Sequence, residues 1–282
     1  MGRTAGGAVT AELPYRIVAT DLDGTLLRSD RTFSARTLRT LAAVRAGGAR
    51  HVVVTGRPVY GTRRLLTQLD YRGLAICGQG AQVYDFDADR LLLTRTLDRE
   101  VARALVQAIS RETGTLALAA VAAEGFLATA DFDRRPGADW RLVTEADLWA
   151  GPVEKILIRH PGHDDEALVA VAQRICGPAL TVAHAGARLV ELLPAGISKA
   201  TGLVYAARRW GLTAADTIAF GDMPNDIPML DWAGYGVAMA NGHRSLRERA
   251  DETTLTNDED GVAVVLERLL ATGSAPARNE QT

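Results

Sequence analysis

The sequence predicts an α/β protein whose parallel-sheet core is interrupted by an inserted α+β domain. Short apolar runs alternate with helical stretches along most of the chain, the rhythm of parallel strands joined by crossover helices. Between about residues 84 and 190 that rhythm gives way to hairpin-like strands with two helices, the pattern of a smaller α+β unit. A length of 282 residues is long for one core and natural for two domains, or for one domain carrying an insertion.

The apolar run Ile17-Val18-Ala19 suffices for one buried strand and leads directly to Asp21. Ser34 is placed to cap a helix over Ala35 to Ala46, closed by Gly47 and Gly48. His51 to Val54 predicts the next strand, and the turn Thr55-Gly56-Arg57-Pro58 opens a helix to Leu69, with Pro suited to a first helical position. A third strand, Leu74 to Cys77, ends at Gly78-Gln79-Gly80. Val83 to Thr96 then reads as a hairpin, Arg99 to Glu112 as a helix, and Thr115 to Ala130 as short strands before a polar, Trp-containing loop. Lys155 to His160 is a strand, Asp164 to Cys176 a helix, and a strand pair follows up to Leu193. Gly196 to Lys199 returns to the core, with a helix over Ala200 to Trp210 and a strand over Thr217 to Phe220. The expected division is a core of 14–83 and 191–271, an inserted domain of 84–190, and disordered tails at 1–13 and 272–282.

A net charge of −2 without a basic stripe gives no field for nucleic acid. No run approaches the ~18 to 20 apolar residues of a membrane span, so no membrane partner is expected. The first residues lack the charged-then-apolar form of a signal peptide, and a cytoplasmic protein is expected. Cys77 and Cys176 lie far apart without metal-ligand spacing, which favours buried thiols in a reducing compartment. A monomer and a homodimer are both compatible with the sequence. Of 32 basic residues only Lys155 and Lys199 are lysine. A compact ammonium and a planar guanidinium fit different sites, so each retained lysine invites a chemical reason.

The chemistry gathers at strand ends. Asp21 and Asp23 flank Leu22 after the first strand and share one side of it, Gly24 permits a sharp turn, and Thr25 can bond the loop. Thr55 and Gly56 follow the second strand, Lys199 starts a helix, and Gly221-Asp222-Met223-Pro224-Asn225-Asp226 follows the strand at Thr217. Ligands of parallel sheets bind at these carboxyl ends. Carboxylates, a hydroxyl, backbone amides and one Lys suit phosphoryl transfer. At ~4 Å and an effective dielectric of ~20, each unit-charge pair is worth on the order of 4 kcal/mol. A phosphate dianion among four aspartates therefore calls for a hard cation such as Mg2+.

The segments DLDGTLL at 21–27, TGRP at 55–58, ISK at 197–199 and GDMPNDIPML at 221–230 resemble, in order and spacing, the four motifs of the haloacid dehalogenase (HAD) superfamily. With an insertion of roughly a hundred residues between the second and third, the chain is similar to the Cof-type phosphatases, which carry a class IIB α/β cap. Gly236 to Asn241 and Asn257 to Ala263 are also similar to that subfamily. The resemblance implies a HAD-like Rossmannoid core with an inserted IIB-type cap. It implies that Asp21 is the nucleophile forming an aspartyl-phosphate, and that Asp23 is general acid and then base. Mg2+ would be held by Asp21, Asp222 and the backbone carbonyl of Asp23. Thr55, the Gly56 amide, Lys199 and Asn225 would bind phosphate, and Asp226 would support Lys199 or the metal shell. Arg57 either reaches substrate or pairs with an acid. Gln79 stands where the family often has Asn, and Ala240 where it often has Gly.

The expected activity is a Mg2+-dependent phosphatase acting on a small phosphorylated metabolite, a sugar phosphate or cofactor-precursor phosphate. A phosphomutase or dedicated sugar-phosphate phosphatase is the alternative within the enzyme class. A non-catalytic regulator that binds a phosphorylated ligand is the alternative outside it. The cap is expected to cover the site and choose the leaving group. Lys155, Glu124, His160 and His184 are its polar candidates.

Overall fold

β1 (Ile17–Thr20) is buried along its whole length, and its side chains alternate between two cores, Val18 on one side and Ile17 and Ala19 on the other. A strand apolar on both faces is what the middle of a parallel sheet requires. The computed structural model describes residues 12–122, 125–132, 140–162, 164–184 and 189–276. Of the expected tails, 1–11 and 277–282 lie outside the described residues.

Around β1 the chain builds α1 (Ala35–Ala46), β2 (Arg50–Val54), α2 (Val59–Gln68), β3 (Leu74–Cys77), β4 (Gln82–Asp85) and β5 (Arg90–Thr94). The insertion contains α3 (Arg99–Thr113), β6 (Ala117–Ala122), β7 (Gly125–Ala128), β8 (Trp140–Leu142), α4 (Glu145–Leu148), β9 (Lys155–Arg159), α5 (Asp165–Cys176), β10 (Leu180–His184) and β11 (Val190–Pro194). The core resumes with α6 (Lys199–Arg209), β12 (Thr217–Gly221), α7 (Ile227–Trp232), β13 (Tyr235–Ala238), α8 (Arg244–Arg247), β14 (Glu252–Thr253) and α9 (Gly261–Thr272).

The first sheet has the order β14-β13-β12-β1-β2-β3-β4-β5, parallel from β14 to β3 and antiparallel beyond. Residues of α1, α2 and α9 share one core with it, and residues of α6 and α7 the other. Because β2 and β12 lie on opposite sides of β1, the chain reverses its winding there and opens a crevice at the strand ends. Thr20 pairs with both Val53 and Phe220, so Asp21, Thr55 and Asp222 emerge at the same edge.

The second sheet has the order β10-β11-β9-β6-β7-β8, antiparallel except between β7 and β8. Its strands alternate in the period of two. Leu118, Ile156, Ile158 and Leu192 pack in one core with residues of α3 and α5. Each such burial contributes ~1.5–3 kcal/mol, so that face holds the inserted domain together. Ala119, Ala128 and Leu157 point the other way, into a small cluster with Phe132.

Sheet membership moves both expected domain boundaries. The hairpin of β4 and β5, expected in the insertion from residue 84, extends the first sheet, where Val83 pairs with Ile76 and joins its core. β11, the second strand of the pair expected up to Leu193, pairs with β9 and β10, so the boundary expected at 190/191 falls inside this strand and moves past it. The inserted segment thus runs from after Thr94 to Pro194, with the strands of the second sheet between Ala117 and Pro194. Turn signals reveal a hairpin but not the edge it joins; burial of Val83 and Tyr84 decides that.

Candidate active site

Two turns shape the floor of the crevice. Gly24 has φ +82°, and a side chain there would overlap the Asp222 carboxylate, so only Gly brings the first loop against the last. Ser198 caps α6 through Thr201, each side chain bonding the other's backbone N–H. That cap fixes Lys199 at the first helical position, its side chain 2% exposed.

The Lys199 Nζ donates to Asp21 Oδ1 at 2.7 Å and to Asp226 Oδ1 at 2.5 Å. Asp226 Oδ2 accepts the backbone N–H groups of Asp222 and Met223, each at 3.0 Å, which holds the turn after β12. Thr25 Oγ1 donates to Asp222 Oδ1 at 2.9 Å. Asp21, Asp222 and Asp226 each bring a carboxylate oxygen within 4.8 Å of the others, and all three are buried. Burial pushes the Asp21 carboxyl well above its ordinary value, with Lys199 opposing. Burial, then the Asp226 charge, pushes Asp222 up to about 7. Burial would depress the Lys199 ammonium, yet Asp21 and Asp226 overcome it and raise its pKa. One cation among three crowded carboxylates leaves an excess of negative charge, and an all-oxygen set of this kind can hold a divalent metal.

Asp23 stands apart. Its side chain, 52% exposed, is clasped by Arg57 through Nε at 2.6 Å and Nη2 at 2.5 Å. Of the two expectations for Arg57, pairing with an acid is the one observed. Thr55 is buried and its Oγ1 accepts the Arg57 N–H at 3.1 Å. Asn225 Nδ2 donates to Gln79 Oε1 at 3.1 Å, while its buried Oδ1 meets no partner among the described residues.

The second sheet closes the site. Lys155 Nζ donates to the Gly56 carbonyl at 2.9 Å and pairs with Glu191. Glu191 Oε2 in turn accepts from Gln79 Nε2 at 2.9 Å. Between the sheets lies a cavity of about 330 Å³, bounded below by Asp21, Asp23, Thr55, Lys199 and Asn225 and above by Phe126, Trp140, Lys155, Arg159 and Glu191. His160 and His184 are not among its lining residues, and Glu124 lies outside the described residues. Glu191 escaped the sequence reading although a lone acid in the run Val190-Glu191-Leu192-Leu193 was the available signal.

The geometry agrees with kinship. A sequence profile of the haloacid dehalogenase-like hydrolases matches residues 18–266. The chain belongs to this family. A 5-amino-6-(5-phospho-D-ribitylamino)uracil phosphatase of Bacillus subtilis (strain 168) is 31% identical over 258 residues, covering 89% of this chain and 95% of that protein. A solved haloacid dehalogenase-like hydrolase from Bacteroides thetaiotaomicron superposes with a TM-score of 0.74 at 30% identity, over 90% of this chain and 99% of that one. A HAD subclass IIB sugar phosphatase superposes with a TM-score of 0.77 at 20% identity, over 90% of this chain and 98% of that one, a likeness of fold. The HAD core with an inserted IIB-type cap, expected from the four motifs, is therefore the architecture of this hydrolase. Among its described residues no helix is long and apolar enough to cross a membrane.

Proposed function

We propose that the protein is a Mg2+-dependent phosphatase that releases phosphate from a small metabolite, a sugar phosphate or a cofactor-precursor phosphate, through an aspartyl-phosphate on Asp21. The Lys199 ammonium held between Asp21 and Asp226, beside Asp222 and under the cavity, is the observation that carries the reading. Named phosphatases among its relatives support it.

The donor set fits the metal: carboxylates of Asp21 and Asp222 and the backbone carbonyl of Asp23 would hold Mg2+. When bound, Mg2+ would neutralise phosphoryl oxygens and open the phosphorus to attack. Lys199, Thr55, the Gly56 amide and Asn225 would grip the phosphoryl group, the ammonium offsetting its charge. An Asp21 oxygen attacks phosphorus as the bond to the leaving oxygen breaks, and that oxygen takes a proton from Asp23. Asp23 then removes a proton from the water that attacks the aspartyl-phosphate, which frees inorganic phosphate and restores both carboxyl groups. Asp23 is clasped by Arg57, so the cycle requires it to exchange the guanidinium for the leaving oxygen.

Phosphate release from a panel of phosphorylated metabolites, with Mg2+ and with chelator, tests the reading. Asp21→Asn is expected to fall to background; full activity in that variant removes the nucleophile assignment. An isomerised phosphosugar in place of free phosphate would assign the same site to a phosphomutase.

A further inference from the structure

The end of the cavity away from Asp21 and Lys199 is walled by aromatic rings. Phe126 of β7 and Trp140 of β8 are register partners, with ring centroids 4.7 Å apart. Phe132, from the segment after β7, lies 5.6 Å from Trp140. Tyr60 of α2 meets Phe126 edge-on at 5.4 Å from across the domain boundary. Only 5% of the chain is aromatic, so three such residues lining one cavity, with a fourth packed against one of them, is a concentration rather than a background.

The rings are not filling for the inserted domain's main core. That core lies on the opposite face of the second sheet, against α3 and α5. On the cavity face the neighbouring positions Ala119 and Ala128 are small and paired with each other; Phe132 is buried against them and Trp140 packs on that small cluster. Phe126 and Trp140 keep part of their surface open. Polar groups flank the wall without interrupting it: Arg159 lies over the Phe132 ring at 5.2 Å, and the Lys155–Glu191 pair borders the cavity. Flat apolar faces bounded by fixed donors and acceptors are the surface on which a planar ring stacks while its edge is hydrogen-bonded.

We propose that this wall selects a planar aromatic or heteroaromatic ring in the leaving group, so that the preferred substrates are phosphate esters of ring-bearing alcohols. The inference deepens the phosphatase reading and rests on it for turnover, though not for binding. Phosphorus sits at Lys199, and the ring stacks on Trp140 and Phe126 across the cavity. A flexible polyol offers no flat face to these rings, and a puckered sugar meets them only through C–H bonds, so both gain less from them than a planar ring does.

The test compares phenylalkyl phosphates with cyclohexylalkyl phosphates over short methylene spacers of varied length, since each pair matches in apolar size and differs in planarity. The expected result is a kcat/KM for the ring ester about tenfold above its saturated partner at the best spacer. That ratio falls to near one in Trp140→Ala and is retained in Trp140→Phe. Phe126→Leu serves as the second variant should Trp140→Ala fail to fold. Calorimetric binding of the same ester pairs to Asp21→Asn gives a readout that needs no turnover, with the same preference expected. Equal treatment of planar and saturated esters by the wild type, or a preference that survives in both Trp140→Ala and Phe126→Leu, overturns the ring assignment. Acetyl phosphate, which carries no ring, separates the two readings: wild-type protein that leaves it and every ester intact with Mg2+ present removes the phosphatase reading, while the binding arm still decides the wall.

Discussion

Gln79 Nε2, at the end of the first sheet's third strand, donates to Glu191 Oε2 of the cap at 2.9 Å. The same amide accepts from Asn225, and Gln79 holds a left-handed φ of +61° to do both. Non-glycine residues adopt that conformation at a cost, and it persists where surrounding contacts fix it. A continuous chain of bonds, Lys155 to Glu191 to Gln79 to Asn225, thus ties the cap to the proposed phosphate pocket.

Breaking that chain at its middle is expected to loosen the closed cap. Hydrogen bonds to charged groups are worth ~1.5–3 kcal/mol, so Gln79→Ala should raise KM by about tenfold or more while kcat falls less. Steady-state kinetics checks it. A fall in kcat at constant KM would instead put Gln79 in the chemical step.

Lys155 and Glu191 form an ion pair with side chains 6% and 5% exposed. Removing one partner of such a pair strands a buried charge at a cost of ~3–5 kcal/mol, whereas apolar replacement of both is often neutral. Lys155→Met should therefore lower the urea midpoint sharply, and Lys155→Met with Glu191→Leu should recover most of the loss. A double variant as weak as the sum of the singles would show that the two side chains act separately.

Asp222, pushed up to about 7, ionises at neutral pH against its neighbours. A carboxyl whose folded pKa lies above its unfolded value contributes stability below the unfolded value, and that stability is lost as pH rises through the folded one. The metal-free protein should therefore weaken through this group as pH climbs from about 4 to 7. Mg2+ competes with the proton there, so the rise in Tm on adding Mg2+ should be small near about pH 5 and grow through about pH 7. Thermal melts with Mg2+ and with chelator measure it, and Asp222→Asn should abolish most of the pH dependence of that rise.

His51 is the opposite case. Its Nε2 is bonded to Thr20 Oγ1 at 2.9 Å inside the first sheet, and burial brings its pKa down to about 3. The neutral ring is the folded form, so its contribution is intact above the unfolded value of about 6.5 and is lost as pH falls toward 3, at up to ~1.4 kcal/mol per pH unit. His51→Phe leaves the Thr20 hydroxyl unpaired and should be less stable than wild type by ~1–3 kcal/mol near neutral pH. By about pH 5 that gap should narrow or reverse. Denaturation at both pH values reads it directly; a constant gap would show that His51 titrates alike in the folded and unfolded chain, with no depression of its pKa on folding.

The site was legible where chemistry sits next to a chain-local signal. Asp21, Thr55 and Asp222 each follow an apolar run by a residue or so, and the run announces the strand while the polar residue announces the edge. Lys155 and Lys199 stood out by rarity, and both prove buried and paired with carboxylates. What could not be read depends on partners distant in sequence. The hairpin of β4 and β5 has the same local pattern whichever sheet it joins, and Phe126, Trp140 and Glu191 face the cavity only because of a strand register that no local spacing reveals. The parting of Asp23 from the other acids has the same origin, since Arg57 arrives from the next strand's turn.

The burial of both lysines leaves the folded surface with no ε-amino group at all, every exposed basic side chain of the Lys/Arg class being a guanidinium. Reagents that acylate amines will therefore find no ε-amino group while the two sheets stay together. Lys155, 5% exposed and anchored to the Gly56 carbonyl across the domain boundary, becomes reachable only when the cap swings away. Its acylation rate, followed by mass spectrometry, is a built-in clock for cap opening, and Lys199, on the floor of the same cavity, should be uncovered by the same motion.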